Sequence, residues 1–421
     1  MRLSSILSPA PVAAALLFLA PALAQRNTEA EEAAITNPYT ECADYTYTPV
    51  DSQASKFPPN WETATIPAGD AAGLAKWNSI KDSIPTNISA RGTIAGDWTG
   101  VNYPSSDPDC WWTFNKCTTP KLAGIPADTI SVPEPNTLGY GFDDGPNCSH
   151  NAFYDYLTEQ KQKATMFYIG SNVQNHPLEA QRAVADGHEI CVHTWSHPYM
   201  TAVPSEGVFA ELYYTLQMIK LATGVTPTCW RPPYGDIDDR VRAVGHALGL
   251  RAILWTYDSN DWMVGDTSTT PAQVDANYAN LIALANNGTF NTAGTIILTH
   301  EINNYTMQEA INQYPKLKAA FKALVPVGVA FNISQPYLEA NYTQPTFAQY
   351  AAGEVVASEI VSSSTAAGGG GGGSGSATAS SAPATSSGAA GGAQKANAAA
   401  PVSVAGCLAA ASALLGLAVL L

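Results

Sequence analysis

The sequence comprises 421 residues, enough for one or two domains, and 46% of them are hydrophobic, enough to bury a sizeable core. Twenty Lys and Arg stand against 35 Asp and Glu, so the formal net charge is −15. This balance excludes the basic face that a nucleic-acid-binding protein needs, and it also excludes a polybasic membrane-binding surface.

Residues 1–24 have the pattern of a secretory signal peptide. Arg2 is followed by an apolar run over residues 11–20, and Ala22-Leu23-Ala24 supplies an A-x-A cleavage site. The run is too short to span a bilayer, and a buried N-terminal helix is the weaker alternative. We expect the mature chain to begin at Gln25 and to be secreted.

Residues 25–134 are rich in Pro, Trp, Thr and Asp and show little periodicity. They predict a loop-rich extension, stapled by disulfides and packed on the main domain. A separate carbohydrate-binding module that exposes Trp111 and Trp112 is the alternative. Six cysteines remain after removal of both ends, an even number that suits an oxidising compartment and leaves 15 possible pairings. They are Cys42, Cys110, Cys117, Cys148, Cys191 and Cys229.

Residues 135–340 alternate short apolar runs with helical patterns, such as those over 206–223 and 238–248. This alternation predicts an α/β fold, an irregular (β/α) barrel of about seven parallel strands. In such barrels the active site lies at the carboxyl ends of the strands, an edge that we call the carboxyl edge. The predicted strands are 138–142, 164–169, 189–192, 227–230, 251–255, 295–299 and 328–332.

Residues 341–397 form a C-terminal segment with a stalk rich in Gly, Ser and Ala, which cannot pack a core. The uncharged apolar tail that follows indicates a GPI-anchor signal, removed as residues 398–421. Asn397 is the expected attachment point, and a site nearer Gly392 or a tail-anchored helix are the alternatives. The anchor implies a eukaryotic cell surface, at the plasma membrane and cell wall. Six sequons suit a secreted glycoprotein: Asn87, Asn147, Asn287, Asn304, Asn332 and Asn341.

Polar clusters follow five of the predicted strands. Asp143 and Asp144 precede a Gly-Pro turn that directs both carboxylates to the carboxyl edge. His193 and His197 have the i, i+4 spacing that places two imidazoles on one face of a helix. With Asp144 they form a His₂Asp set. Such a set suits one catalytic divalent metal, Zn²⁺ in the first place and Co²⁺ as the alternative.

The other three clusters contain Arg231 in a Pro-stiffened loop, Asp261 after the fifth predicted strand, and His300 at the end of the sixth. A histidine that ends a buried strand is a candidate general acid if a carboxylate holds it. The loop with Arg231 alone is also compatible with a rigid surface turn, as the Asp-Asp-Gly sequence is with a solvated turn.

In this order the five segments resemble the motifs of the polysaccharide deacetylases, the NodB-homology domain of carbohydrate esterase family 4. The resemblance covers about residues 135–335, and Gly141 departs from it because the family usually has Thr there. Together with the secretion and anchor signals, it implies a fungal cell-surface enzyme. The implied substrate is chitin, as polymer or oligomers, and the implied products are chitosan and acetate. The implied partners are cell-wall chitin or glucan and, through the anchor, the plasma membrane.

The resemblance also implies a role for each site residue. Asp143 is the general base and His300 the acid that protonates the departing amine. The backbone N–H of Tyr234 helps to stabilise the oxyanion. The remaining implied roles are metal binding by Asp144, His193 and His197, orientation by Arg231 and Asp261, and lining of the acetyl pocket by Leu298 and Trp262.

Three rival functions use the same features differently. A catalytically inactive homologue would bind wall polysaccharide, but it predicts losses among the acid, base or ligands, and none is lost. An O-acetyl esterase on xylan or a peptidoglycan deacetylase would use the same groups. A structural wall glycoprotein would explain the stalk and leave the five clusters unexplained.

Overall fold

The structure is a computed structural model that describes residues 26–265 and 269–353. The predicted signal peptide, the predicted anchor signal with Asn397 and the Gly/Ser/Ala-rich stretch expected to form a stalk lie outside the described residues. Within the described ranges, no helix combines the length and the apolar character that crossing a membrane requires.

The N-terminal extension is irregular, with short helices separated by long loops. Its Trp111 and Trp112 are only 3% and 8% exposed, and the Trp111 indole donates a hydrogen bond to Asp236 at 2.8 Å. The pair is therefore part of the core, and the alternative of an exposed sugar-binding pair is wrong. The helices are α1 (Glu29–Ala33), α2 (Pro38–Glu41), α3 (Thr48–Asp51), α4 (Ala71–Ile80) and α5 (Trp112–Asn115), with 3₁₀ turns at Ala54–Lys56 and Lys81–Ser83.

All six cysteines expected in the mature chain form disulfides. Cys42–Cys148 joins the extension to the main domain across 106 residues of sequence. Cys110–Cys117 closes a short loop inside the extension, and Cys191–Cys229 joins two neighbouring strands of the main domain. The first bridge fixes the extension beside the carboxyl edge, because Cys148 lies three residues beyond the strand that carries Asp143 and Asp144.

Among the described residues, nine strands form two sheets in which every ladder is parallel, as the α/β pattern predicts. One sheet has the order β2-β3-β4-β5-β6 and the other the order β7-β8-β1-β9. A parallel bridge between Asp143 and His300 joins them, an arrangement compatible with an irregular barrel. The strands are β1 (Thr137–Gly139), β2 (Gly141–Gly145), β3 (Thr165–Tyr168), β4 (Glu189–Val192), β5 (Cys229–Trp230), β6 (Arg251–Ala252), β7 (Tyr257–Asp258), β8 (Thr295–Leu298) and β9 (Ala323–Val325).

The helices of the main domain cover the sheets and bury their apolar faces. The longest of the described helices, α9, coincides with the helical pattern predicted over 206–223. It begins after Pro204, ends at a left-handed Gly224 (φ 83°) and buries an apolar stripe that includes Phe209, Leu212 and Leu216. The helices are α6 (Asn151–Glu159), α7 (Gly170–Asn175), α8 (Pro177–Ala185), α9 (Ser205–Thr223), α10 (Asp239–Ala247), α11 (Pro271–Asn286), α12 (Asn304–Ala320), α13 (Val327–Ala330) and α14 (Phe347–Ala351), with 3₁₀ turns at Met200–Ala202, Pro233–Gly235 and Asp261–Met263.

One predicted strand is wrong. Residues 327–330 form helix α13, and the last strand, β9, ends just before Pro326. Proline lacks the N–H that a strand needs and is well tolerated at the beginning of a helix, so it separates the two elements. The apolar run after it is too short for periodicity to distinguish a helix from a strand. The predicted strand 138–142 is also divided at Tyr140 between the two sheets. Neither β7 nor β9 was anticipated.

Candidate active site

The two adjacent carboxylates lie inside β2, not after it as the sequence indicated. Consecutive side chains of a strand normally point to opposite faces. Here the register with β3 shifts between Asp143 and Gly145, and Asp144 adopts a left-handed φ of 72°. Such an irregularity redirects a side chain, and both carboxylates consequently face the imidazole of His193.

The two histidines come together in a bent loop after β4, although the segment is not helical. Thr194 and His197 have left-handed φ values of 68° and 58°, and this curvature brings the two imidazole centroids to 5.0 Å. The Nε2 atoms of His193 and His197 lie 3.3 Å and 3.1 Å from Oδ1 of Asp144. Backbone curvature thus achieves what the helical spacing was expected to provide.

The Asp144–His193–His197 group fits a divalent ion. Its three ligand atoms lie within 4.8 Å of one another, and the buried Oδ1 of Asp144 faces the two imidazole nitrogens. Nδ1 of His193 is 2.8 Å from the carbonyl oxygen of Arg231, which orients Nε2 towards the centre of the group. Burial opposes ionisation of Asp144, but the facing imidazoles of His197 and His193 hold its pKa well below the usual value. Two imidazole nitrogens and one carboxylate are a ligand set suited to catalytic Zn²⁺.

One other group among the described residues has metal-ligand side chains close together: Glu189, Cys191 and Cys229. Its two sulfur atoms are bonded to each other in the disulfide, so they are not available as thiolate ligands.

Asp143 is held by a buried arginine. Its Oδ1 accepts a hydrogen bond of 2.6 Å from Nη1 of Arg231, whose side chain is fully buried. The rest of the guanidinium donates to the carbonyl oxygens of Ile253 and Leu254 and lies 3.9 Å from the ring centroid of Phe167. These contacts fix the carboxylate and leave its Oδ2 on the side of the histidines.

His300 and Asp261 form a second buried pair. Nδ1 of His300 lies 2.6 Å from Oδ1 of Asp261, and the backbone N–H of His300 donates to Oδ2 at 3.0 Å. Burial alone would lower the pKa of His300, but the charge and hydrogen bond of Asp261 outweigh it and raise this pKa to about 9. The imidazole is therefore protonated at neutral pH, as a proton donor requires.

The remaining expected residues lie around this centre. Tyr234 is 40% exposed, its ring lies 4.7 Å from that of His197, and it stacks on Tyr199 at 4.0 Å. Trp262 is 37% exposed, with its ring 6.4 Å from that of His300. Leu298 is buried at the end of β8. The structure thus brings the ten residues that were expected to bind metal, take part in catalysis or line the acetyl pocket to the carboxyl edge.

Sequence reasoning missed Glu211, a buried acid on α9. Its carboxylate accepts hydrogen bonds from the backbone N–H groups of Trp195 and Ser196, from the Ser196 hydroxyl and from the backbone N–H of Ala64. It therefore holds the loop between His193 and His197 against the extension. A charged residue within the apolar stripe of an amphipathic helix was the available signal.

Glu301 was missed as well, although it directly follows His300. Its buried carboxylate accepts hydrogen bonds from the Tyr154 hydroxyl at 2.8 Å and from the backbone N–H of Asn147 at 3.1 Å. Its own N–H donates to the carbonyl oxygen of Asp143 at 3.0 Å. Burial raises the pKa of Glu301 to about 8. The residue ties the loop after β2 to the strand end that carries His300.

The sequon at Asn147 lies close to the site, whereas the other five asparagines are exposed. The Nδ2 atom of Asn147, to which a glycan would be attached, donates a hydrogen bond to the carbonyl oxygen of Ile302 at 2.9 Å. We expect this sequon to be unoccupied, or its glycan to point away from the cleft, with the other sequons more heavily used. Glycopeptide mapping measures this occupancy.

The departure at Gly141 has a packing explanation. A Cβ added there would lie 2.6 Å from the carbonyl oxygen of Thr165 on the neighbouring strand. The two strands approach more closely than a side chain at this position would allow. Position 141 also contributes no side chain to the site, so its identity leaves the catalytic groups unchanged.

Comparisons with known proteins identify the family of this chain. Residues 131–253 match the polysaccharide deacetylase family model. Chitin deacetylase 2 of Cryptococcus neoformans var. grubii is 53% identical over 329 residues, 77% of this chain and 72% of the relative. Chitin deacetylase of Amylomyces rouxii is 50% identical over 318 residues, 73% of this chain and 74% of the relative. The solved chitin deacetylase of Colletotrichum lindemuthianum is 21% identical, covering 48% of this chain and 91% of that one, with a TM-score of 0.44. The chain belongs to the polysaccharide deacetylase family.

Proposed function

We propose that the protein hydrolyses the N-acetyl groups of N-acetylglucosamine units in chitin, giving glucosamine units within the polymer and free acetate. One observation carries the proposal: three groups lie together at the carboxyl edge. They are a carboxylate held by an arginine, a His₂Asp group and a protonated histidine. Relatives that are at least half identical and are named chitin deacetylases support the choice of substrate.

Asp143 acts as the general base. It accepts a proton from the water that attacks the acetamide carbonyl. Arg231 orients its carboxylate through the 2.6 Å hydrogen bond to Oδ1, which leaves Oδ2 for the proton. A general base must lie within hydrogen-bonding reach of the proton that it takes, and this fixed orientation satisfies that requirement.

His300 acts as the general acid. It gives its proton to the amine nitrogen as the C–N bond breaks, and Asp261 keeps the imidazole charged and oriented until then. The backbone N–H of Tyr234 donates to the carbonyl oxygen as negative charge develops on it. Leu298 and Trp262 line the space for the acetyl methyl group.

Asp144, His193 and His197 hold the metal, Zn²⁺ in the first place and Co²⁺ as the alternative. When bound, the ion supplies Lewis acidity that polarises the carbonyl group and lowers the pKa of water. The two histidines must be neutral to bind it, so we expect acid to weaken metal affinity.

Acetate release from chitin oligomers tests this function. We expect release from N-acetylglucosamine tetramers to hexamers, abolished by a chelator and restored by added Zn²⁺ or Co²⁺. O-acetylated xylan and peptidoglycan fragments serve as comparison substrates. Full activity of a protein shown by elemental analysis to be free of metal would contradict the metal assignment. Acetate release from acetylxylan alone would show that acetylxylan, not chitin, is the substrate.

We further propose secretion and GPI anchoring at the plasma membrane and cell wall, on the basis of residues 1–24 and 398–421. Phosphatidylinositol-specific phospholipase should release the protein from membranes, and truncation before Val402 should send it to the medium. Retention of the truncated chain on membranes would exclude a C-terminal anchor.

A further inference from the structure

The N-terminal extension places an exposed tryptophan beside the site. Trp61 is 48% exposed and has a left-handed φ of 61°, a conformation that a bulky residue rarely adopts. Such a backbone persists only where its surroundings enforce it, and these positions concentrate at ligand-binding sites. Here the enforcing contact is a hydrogen bond of 2.8 Å from the backbone N–H of Trp61 to the buried hydroxyl of Ser171.

Ser171 belongs to the first turn of α7, which follows the carboxyl end of β3. The backbone N–H of Ser171 donates to the carbonyl oxygen of Trp195, between the two histidine ligands. The next residue, Asn172, donates from its side chain to the carbonyl oxygen of Asp144 at 2.7 Å. A single hydrogen bond thus links Trp61 to the first turn of α7. The same turn is hydrogen-bonded to the segments that carry all three metal ligands.

The segment around Trp61, residues 57–64, is anchored on the same loop at several points. The Phe57 ring stacks on that of Trp195 at 5.9 Å, and the Trp195 indole donates to the carbonyl oxygen of Pro59 at 2.9 Å. The backbone N–H of Ala64 donates to Glu211, which also binds the loop between the histidines. The position of Trp61 relative to the site is therefore well determined.

The strand order places Trp61 and Trp262 on opposite sides of the catalytic carboxylates. β2, with Asp143 and Asp144, pairs with β3 on one side and bridges to β8 on the other. Trp61 contacts the turn after β3, whereas Trp262 follows β7, beyond β8. A polysaccharide that extends from the site towards β3 therefore runs towards the side on which Trp61 lies.

We propose that Trp61 forms a distal sugar-binding subsite, where its indole stacks on an N-acetylglucosamine unit of the same chain that is being deacetylated. The C–H groups on the face of a β-linked pyranose ring are apolar and match a half-exposed indole, a large side chain that costs little conformational entropy to order. This subsite deepens, and rests on, the proposed deacetylase function. It gives the extension a part in selecting long substrates.

Kinetics on short and long substrates test the subsite. Trp61→Gly is the decisive variant, because glycine favours the positive φ and should preserve the fold while removing the indole. We expect KM for the hexamer to rise about tenfold, which corresponds to a loss of about 1.4 kcal/mol of binding free energy. kcat for the hexamer, and both parameters for the dimer, should remain within about twofold. Trp61→Phe should restore most of the hexamer affinity, measured also by calorimetry.

Phe331→Ala is the matched control. Phe331 is 38% exposed, but it lies beside Arg251 at the amino end of β6, opposite the carboxyl edge, so both substrates should be unaffected. An unchanged hexamer KM in Trp61→Gly would overturn the subsite, as would equal losses on dimer and hexamer. Absence of acetate release by the wild-type enzyme from every chitin substrate would instead contradict the deacetylase function.

Discussion

Replacement of Asp143 by Asn should lower kcat about 10²–10⁴-fold, the usual contribution of a general base. Asn keeps the shape of the side chain and can still accept the hydrogen bond from Arg231, but it cannot take a proton from water. Asp144, His193 and His197 are untouched, so the metal content measured by elemental analysis should equal that of the wild-type protein. Steady-state acetate release at saturating hexamer measures the effect.

Two controls separate loss of the base from loss of the fold. Arg231 is fully buried, and removing its partner's charge can destabilise the protein, so thermal unfolding must be measured on the same preparation. Asp155→Asn is the matched substitution, because Asp155 pairs with Arg182 at 2.5 Å with 60% of its side chain exposed. It should leave kcat unchanged. Near-normal turnover by Asp143→Asn with metal fully bound would show that Asp143 is not the base.

Removal of the general acid should be nearly as damaging. His300→Ala should reduce kcat about 10²–10⁴-fold, because an amine leaves poorly without a proton. The double variant with Asp143→Asn should be little worse than the slower single variant, since groups that act on one transition state are not additive. If the fold-reduction in kcat of the double variant equals the product of the two single fold-reductions, the residues act in independent steps.

Asp261→Asn tests the charge on the acid through the pH profile. The protonated form of His300 is the active one, so activity falls as pH rises through its pKa, which Asp261 raises to about 9. Without that charge the pKa falls, and the alkaline limb of kcat should move to lower pH. A purely structural role would lower kcat at all pH values and leave the limb in place. An unmoved alkaline limb would therefore contradict the pairing as we interpret it.

The sequence alone predicted the parallel α/β architecture, and it also predicted the polar residues that the structure brings together at the carboxyl edge. Both depend on local patterns, namely apolar runs of strand length and the polar residues that end them, and parallel strands bring such ends to one edge. Asp144, His193 and His300 meet for this reason, although they are far apart in the chain. The run after Pro326 misled the same reasoning, because four apolar residues do not carry a period.

Only the tertiary structure decided the features that depend on contacts between residues distant in sequence. The disulfide pairing was one of 15 possibilities, and Cys42–Cys148 spans 106 residues. Glu211 bonds to Ala64 across 147 residues, so the way in which the extension supports the metal ligands has no local signature. The left-handed conformations of Trp61 and Thr194 belong to residues that adopt them rarely, and only the surrounding hydrogen bonds and packing impose them.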